Sequence, residues 1–585
     1  MENTLVGPVD AKDRVEVTIK LRRKNREGFP TLEEFLDGKR IRLTRQELEE
    51  RYGGSHEDAA RVQAWAKSNG LSTSRIHLGK RRLELVGSAE NMEKAFGVKL
   101  SHYTHGATGV GFRRPEKEAA VPRELRDIVV GVFGLDETPV IRRHITKARQ
   151  FRSLQDPAAT NPFAFYPPEV RALYQFPDTT GKGQKVAILE FGGGFTQAEL
   201  DVYFQKYLGF KSTPTVNPIV VPGGKEMIDR EVTGEVYLDI EVVGGMAPDA
   251  IIDVYFAAWT GDGYLKAVED AIHNDDYAAI SISYGLNEDL PASAQQAAWP
   301  QLKDNVDEAF AEAVAVGISI FVSAGDQGSG DGQGILVYQG QELEVTVPAP
   351  AAHAEYPASS PYATGVGGTM LFAKDGKITN ETVWNELGPE REGPLLVSRT
   401  QTRNGPFYLG GATGGGVSDR YPAVPSYQAA AGVRFQSANS PATTGRCVPD
   451  VAGNAGAMTG YLVTQPPGSR NPVDAVGGTS AAAPMWAALM ACVREALGQV
   501  PVFFFNDFAY AAGKSGAFND IVEGVKVDPQ QQPPAVTFTP TGDNRSSVAK
   551  GYFASAGYDL CTGWGSPNGR QLLIQLAEWL KTQPK

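Results

Sequence analysis

The sequence predicts an α/β protein in two parts: a large domain on a doubly wound parallel sheet, preceded by a small α+β domain. Three observations carry this reading. Four strands that are apolar throughout, "KVAILEF", "AIIDVYFAAW", "AAISISYG" and "ISIFVSAGD", alternate with helical stretches, as expected of a parallel sheet covered on both faces. Charge divides the chain: residues 1–155 hold 30 Lys and Arg against 22 Asp and Glu, net +8, and the other 430 residues are net −20. Between the two parts, "RRHITKARQFRSLQDPAATN" is polar and without periodicity, the composition of a linker open to proteolysis. The expected divisions are a domain over 1–145, a linker over 146–160 that is cut on activation, and a larger domain over 161–585.

In chain order, Val15, Val17, Ile19 and Leu21 alternate on one face of a strand, and Glu57 to Asn69 reads as a helix capped by Ser55. Arg82 to Val86 is a second strand and Ala89 to Phe96 a helix. Arg123 to Phe133 is read as a further helix begun after Pro122. In the larger part, helices are expected around Thr196–Leu208, Thr233–Val243, Leu265–His273 and Val306–Val316. Ligands of such a sheet bind beyond the carboxyl ends of its strands. No internal repeat is present.

Composition excludes several classes. The longest apolar run, Ala481 to Val493, is 13 residues and contains Pro484, against the ~20 needed to span a membrane. Charges at Lys20, Arg22, Arg23, Lys24 and Arg26 fall where a secretory signal would be apolar, so no recognisable signal is read. The three cysteines, Cys447, Cys492 and Cys561, lack metal-type spacing. Basic residues in the first part are mixed with acids and hydrophobics rather than run in a block, which favours docking on the acidic part of the same chain over nucleic acid. A monomer is expected, with neither nucleic acid nor membrane as partner.

The most specific string is "GGTSAAAP" at Gly477–Pro484, followed by an apolar helix. It places Ser480 at a helix N-terminus, where free N–H groups and the positive dipole end favour an oxyanion; the bland alternative is a cap on a core helix. A serine nucleophile needs a base. Five of the seven histidines lie in the basic part, and His273 and His353 read as structural or solvent-facing, so a histidine triad is not supported. Instead, Glu235 and Asp239 are four apart on one helix face, a like-charge pair that costs stability unless it shares a proton. Sharing would make Glu235 a base with Asp239 as its orienter, and activity would then peak in acid. Asp326 ends the strand "ISIFVSAG", where a neutral carboxyl could donate to the oxyanion; a turn-forming Asp before Gly is the alternative. Glu190 ends "KVAILE" at the same sheet edge.

These residues sit in "GEVYLDIEVVGGMAP", "SAGDQGS", "YPASSPYATGVGGT", "RCVPDVAGNA" and "GGTSAAAP", in that order. Over nearly its whole length the chain resembles the sedolisins, the serine-carboxyl peptidases, and among them the kumamolisins. The resemblance implies a ferredoxin-like propeptide before a subtilisin-like catalytic domain, an endopeptidase made as a self-processing zymogen, and action outside the cell on protein or peptide substrates. It implies Ser480 as nucleophile, Glu235 as base, Asp239 as its partner, Asp326 as oxyanion acid and Glu190 behind Asp239. A tryptophan joins that network in the kumamolisins, and this sequence has Tyr284. The resemblance further implies one structural calcium ion held by Asp520, Ile521, Ser555, Gly557 and Asp559, two carboxylates and three carbonyls; Ser555 stands where the family has glycine. The loops Leu387–Tyr408 and Val525–Lys550 are longer than the family pattern.

Two rivals remain at this stage. An esterase on Ser480 lacks the Gly-x-Ser-x-Gly elbow, and a non-catalytic binding protein on the same fold is argued against by the intact acidic set. Hydrolysis of casein against a short-chain ester at acid pH separates the three.

Overall fold

The computed structural model describes residues 4–36, 42–104, 111–117, 119–139, 142–147, 163–228, 232–288, 299–330, 335–338, 341–344, 351–386, 411–469, 471–498, 503–522, 542–545 and 550–583. The expected loops 387–408 and 525–550 therefore lie almost wholly outside the described residues, as does the linker beyond Lys147.

The N-terminal domain is built around a four-stranded antiparallel sheet with two helices packed on it; two shorter helices, Leu32–Leu36 and Arg45–Tyr52, and a small three-stranded sheet complete it. Its strands are β1 (Arg14–Leu21), β2 (Ser72–His77), β3 (Arg82–Ser88) and β4 (Val129–Phe133), in the order β2-β3-β1-β4. Helices α1 (His56–Ser68) and α2 (Ala89–Phe96) start at serine caps, the first of them as expected: Ser55 Oγ accepts the N–H of Asp58, and Ser88 Oγ that of Asn91. Val62, Ala66 and Met92 pack on Val15, Val17 and Ile19. The helix expected over Arg123–Phe133 is not there. One 3-10 turn, Arg123–Leu125, leads into β4, whose Ile128-Val129-Val130 and Val132 are β-branched and gain more from pairing with β1 than from a helix.

Two short linker strands follow, β5 (Arg142–Arg143) and β6 (Thr146–Lys147). The larger domain is built on β7 (Lys185–Glu190), β8 (Thr215–Val220), α3 (Thr233–Met246), β9 (Ile251–Phe256), α4 (Gly261–Asn274), β10 (Ala279–Ile282), β11 (Tyr284–Asn287), α5 (Trp299–Val316), β12 (Ser319–Ser323), β13 (Thr364–Lys374), β14 (Lys377–Val383), β15 (Val451–Asn454), β16 (Tyr461–Thr464), β17 (Val473–Gly477) and α6 (Thr479–Leu497). The central sheet runs β8-β9-β7-β10-β12-β13-β14, with β15 paired to β13; all pairs are parallel except β13 with β14. Side chains alternate across it. Val186 and Ile188 of β7 join Val236, Ile240 and Trp486 in one core, while Ala187 and Leu189 join Leu265, Ile272 and Val306 in the other. The predicted strand "AAISISYG" bends at Ser283: β10 stays in the sheet, and β11 leaves it to pair with Tyr356 and Glu355.

The two domains meet through ions. Arg23 and Arg81 reach Glu312 of α5 at 2.8 and 3.1 Å, Arg82 reaches Glu269 and Asp270 of α4 at 3.2 and 3.0 Å, and Lys80 reaches Asp270 at 2.8 Å. Lys20 pairs with Glu269, and Arg45 Nε donates to the Ile272 carbonyl at the C-terminal end of α4, where a cation suits the dipole. The expected docking of the basic part on the acidic part is thus found. His273 is not solvent-facing: it is buried in this interface, 3.1 Å from Glu312.

Candidate active site

Helix α6 begins at Gly478, whose φ of +112° favours glycine. A Cβ there would lie 2.1 Å from the His144 carbonyl oxygen and 2.7 Å from Asp326 Oδ2, so both oxygens border the space the glycine leaves open. Pro484 lies four residues after Ser480 and has no N–H, so the Ser480 carbonyl has no helical partner. The hydroxyl of Ser283, 3.3 Å away, fills that role. Ser480 is buried, and its Oγ donates to the Ser283 carbonyl at 3.2 Å.

Ser283 also lies 2.7 Å from Asp239 Oδ2. One hydroxyl has one proton, so it cannot donate to both the Asp239 carboxyl and the Ser480 carbonyl. Both contacts are satisfied if Asp239 is protonated and donates to Ser283 Oγ. Burial, first, and then the charges of Glu190 and Glu235 push the Asp239 carboxyl well above its usual range, in the direction this requires. Three carboxyl groups therefore share one buried region: Glu235 and Asp239 from α3, and Glu190 from the carboxyl end of β7. All three are buried. The Tyr284 hydroxyl donates to Glu190 Oε2 at 2.6 Å, which ties that carboxyl to β11.

Asp326 stands at the carboxyl end of β12, as expected. Its Oδ1 accepts from the Thr479 N–H and the Thr479 hydroxyl, both at 2.8 Å, which turns the carboxyl toward the start of α6. Oδ2 is the oxygen that borders the space above Gly478.

The linker lies in this site. β5 pairs antiparallel with β11, Tyr284 opposite Arg143, and β6 pairs antiparallel with β17, Gly477 opposite Thr146. Between them the Ser480 N–H donates to the His144 carbonyl at 3.1 Å, and the His144 N–H donates to the Ser283 carbonyl at 3.2 Å. The His144 ring enters a buried pocket, with Nδ1 2.6 Å from Ser323 Oγ and Nε2 2.7 Å from Glu355 Oε1. His144, Ser283, Ser323 and Glu355 were not picked out from the sequence. "SISYG" and "AHAEYP" carry no pattern that separates them from ordinary core residues, and their partners are distant along the chain. His353 is buried and bonds through its backbone N–H to the Ser329 carbonyl.

The two segments expected to hold calcium meet within the larger domain. Gly557 N–H donates to Asp520 Oδ2 at 2.7 Å, joining the two segments. Asp559 Oδ1 accepts from the N–H groups of Cys561 and Thr562 and Oδ2 from that of Ser555, and burial pushes its carboxyl up to about 6. The groups set against these two carboxylates are main-chain N–H donors, and the carboxylate oxygens themselves are of the hard type a divalent cation takes. Among the described residues no group of three or more His, Cys, Asp or Glu gathers as a metal cluster, and no helix is long and apolar enough to cross a membrane.

Comparison with known proteins agrees with this architecture. Residues 2–138 match the pro-kumamolisin activation domain and residues 228–503 the subtilase family. The chain is 36% identical to kumamolisin of Bacillus sp. (strain MN-32) over 97% of its own length and 93% of that protein's. It is 26% identical to sedolisin of Pseudomonas sp. (strain 101), over 90% of this chain and 80% of that one. Among solved structures, Pseudomonas sedolisin complexed with pseudo-iodotyrostatin superposes with a TM-score of 0.54 at 25% identity, covering 72% of this chain and 98% of that one. With an activation domain docked on a subtilisin-like body, and with that identity over nearly its full length, the chain belongs to the sedolisin family of serine-carboxyl peptidases, on its kumamolisin side.

Proposed function

We propose that this protein is an acid-active endopeptidase that cuts its own chain at His144–Ile145, just ahead of the linker expected over 146–160. The observation that carries the reading is the linker's position, its His144 carbonyl on the Ser480 N–H beside three buried carboxyls. In the reaction, Glu235 takes the Ser480 proton and Ser480 Oγ bonds to the peptide carbon. The Ser480 N–H and a protonated Asp326 donate to the resulting oxyanion. The C–N bond breaks as Glu235 returns the proton to the leaving amine, and water then hydrolyses the acyl-enzyme with Glu235 again as base. Asp239, Glu190 and Tyr284 fix how many protons the carboxyl set holds. Acid is required because Asp326 has to carry a proton while Glu235 remains able to accept one.

The resting pocket also supports a substrate preference. With His144 at the acyl side of the bond, Glu355 and Ser323 form the polar floor of the pocket for that residue, which favours side chains that donate hydrogen bonds or carry positive charge. Calcium held by Asp520, Asp559 and the carbonyls of Ile521, Ser555 and Gly557 would join their two segments as a structural ion. Extracellular action as a monomer completes the reading.

Casein hydrolysis by the acid-treated protein tests the mechanism. Glu235→Gln and Asp326→Asn should each lower turnover by about 100-fold or more. Full activity in either variant removes the role assigned to that residue, and short-ester hydrolysis without casein hydrolysis would favour the esterase reading.

A further inference from the structure

We infer that Asn544 is a positioning residue for the reaction proposed above, and that it holds the segment carrying Asp326 where its carboxyl meets the oxyanion. The inference rests on that reading of Asp326. Asn544 is fully buried, and its side-chain hydrogen bonds all go to backbone. Nδ2 donates to the carbonyls of Gly415 at 3.3 Å and Leu560 at 3.1 Å, and Oδ1 accepts from the Tyr552 N–H at 2.8 Å. Its own carbonyl accepts the Ser329 N–H at 2.9 Å.

These contacts converge on Asp326 from both sides. Downstream, Ser329 is three residues away, and its hydroxyl also bonds to the Lys550 carbonyl. Alongside runs the segment 411–416: Ala412 N–H donates to the Asp326 carbonyl at 2.9 Å, Gly414 N–H to the Gly325 carbonyl at 2.8 Å, and Gly328 N–H to the Ala412 carbonyl at 2.9 Å. A Cβ at Gly414 would lie 1.8 Å from the Ala324 carbonyl oxygen, so this segment lies backbone to backbone against the residues that lead into Asp326, and a shift of one is passed to the other. Asn544 therefore ties the neighbour of Asp326, the segment packed beside it, and the Leu560 end of the loop that carries Asp559. An amide fork is needed, because one side chain supplies two donors and one acceptor. Removing it leaves two carbonyls and one N–H buried without partners, and the cheapest relief is movement of these segments. A shift of roughly 1 Å in a catalytic group costs up to about 100-fold in rate.

The test is steady-state hydrolysis of a peptide substrate at acid pH by the acid-activated full chain carrying Asn544→Ala or Asn544→Asp, each alone and combined with Asp326→Asn. The aspartate variant keeps the Oδ1 acceptor and the residue's shape, so it reads the same question should the alanine variant not fold. The expected result is a fall in kcat of about 30-fold with KM within about two-fold, since the ground-state contacts of the substrate are untouched. In the Asp326→Asn background the further loss should shrink to about three-fold or less, because both changes act through one group. Unchanged kcat in the folded single variants, or a loss that multiplies in full with Asp326→Asn, overturns the inference. A wild-type protein that cleaves no peptide at any pH overturns the reading of Asp326 as well, which separates the two failures.

Discussion

At Ser480 a helix-breaking residue and the proposed nucleophile share one turn. Pro484 leaves the Ser480 carbonyl without a helical donor, and Ser283 answers it while also touching Asp239. Replacing Ser283 by alanine deprives the Asp239 carboxyl of its 2.7 Å partner and the Ser480 carbonyl of its 3.3 Å donor, while the Ser283 carbonyl that receives the Ser480 hydroxyl stays. The expected outcome is a shifted pH profile of kcat with the enzyme still active, measured on a peptide substrate; an unaltered profile would show that Asp239 does not depend on this hydroxyl. Glu355→Gln should lower cleavage after histidine, lysine or arginine by about 10-fold relative to cleavage after leucine, because the charge facing such side chains is lost. A library of peptides varied at that position, separated by mass, reads this directly, and an unchanged profile would place the preference elsewhere. Ser480, Glu235, Asp239 and Asp326 were legible as candidates because each lies in a local string with its own chemistry. His144, Ser323 and Glu355 were not: they meet across 179 and 211 residues, a distance along the chain that periodicity cannot span.

Among the elements, those with strong signals formed as read. β7, β9, β10 and β12 are apolar on both faces, and α1 and α2 have serine caps. Where the local signal was divided, tertiary pairing decided. Residues 123–133 have a proline-led start that suggests a helix, yet pairing with β1 makes 129–133 a strand. The linker shows the same thing more sharply. Its residues 142–147 have no strand pattern of their own, and they become β5 and β6 only because β11 and β17 offer open edges on either side of Ser480. The loops joined by Gly557 and Asp520 are another such case, since the two segments lie far apart in sequence. If they hold calcium, removal of the ion with a chelator should lower the melting temperature, since a ligand at 100 times its Kd contributes about 2.7 kcal/mol. Asp520→Asn should abolish that effect. A melting temperature indifferent to chelator and calcium would contradict the assignment.

Over the whole molecule the carboxyl groups divide by location. Burial raises Asp239, Glu241, Glu381 and Glu386 within the larger domain, and raises Asp507 to about 6. A native state that binds these protons more tightly than the unfolded chain loses stability as pH rises through that window, by about 1.4 kcal/mol per unit for each group. At the interface the balance is reversed. Burial would raise Glu312 and Glu308, but Arg81 and Arg23 outweigh it and hold both low; Arg82 and Lys80 do the same for Asp270. Their contribution is present above the unfolded carboxyl value of about 4 and is lost only as pH falls further, through their lowered values. His273, raised chiefly by Glu312 and Glu49 against burial, is charged in acid and strengthens the contact there. The enzyme body thus favours mild acid while the docked propeptide survives it, so cutting should precede release. Binding of the isolated activated domain to the freed propeptide should hold from pH 7 to about 5 and weaken below about 4; loss of binding between pH 7 and 5 would contradict this order.

The most direct test of the account follows the full-length chain and its Ser480→Ala variant from pH 3 to pH 8, reading new chain ends by mass spectrometry. The account predicts a new N-terminus at Ile145 in acid, in the wild type alone, with casein hydrolysis appearing alongside it. A wild-type chain still intact at pH 4, or a Ser480→Ala chain cut at the same bond, would contradict it.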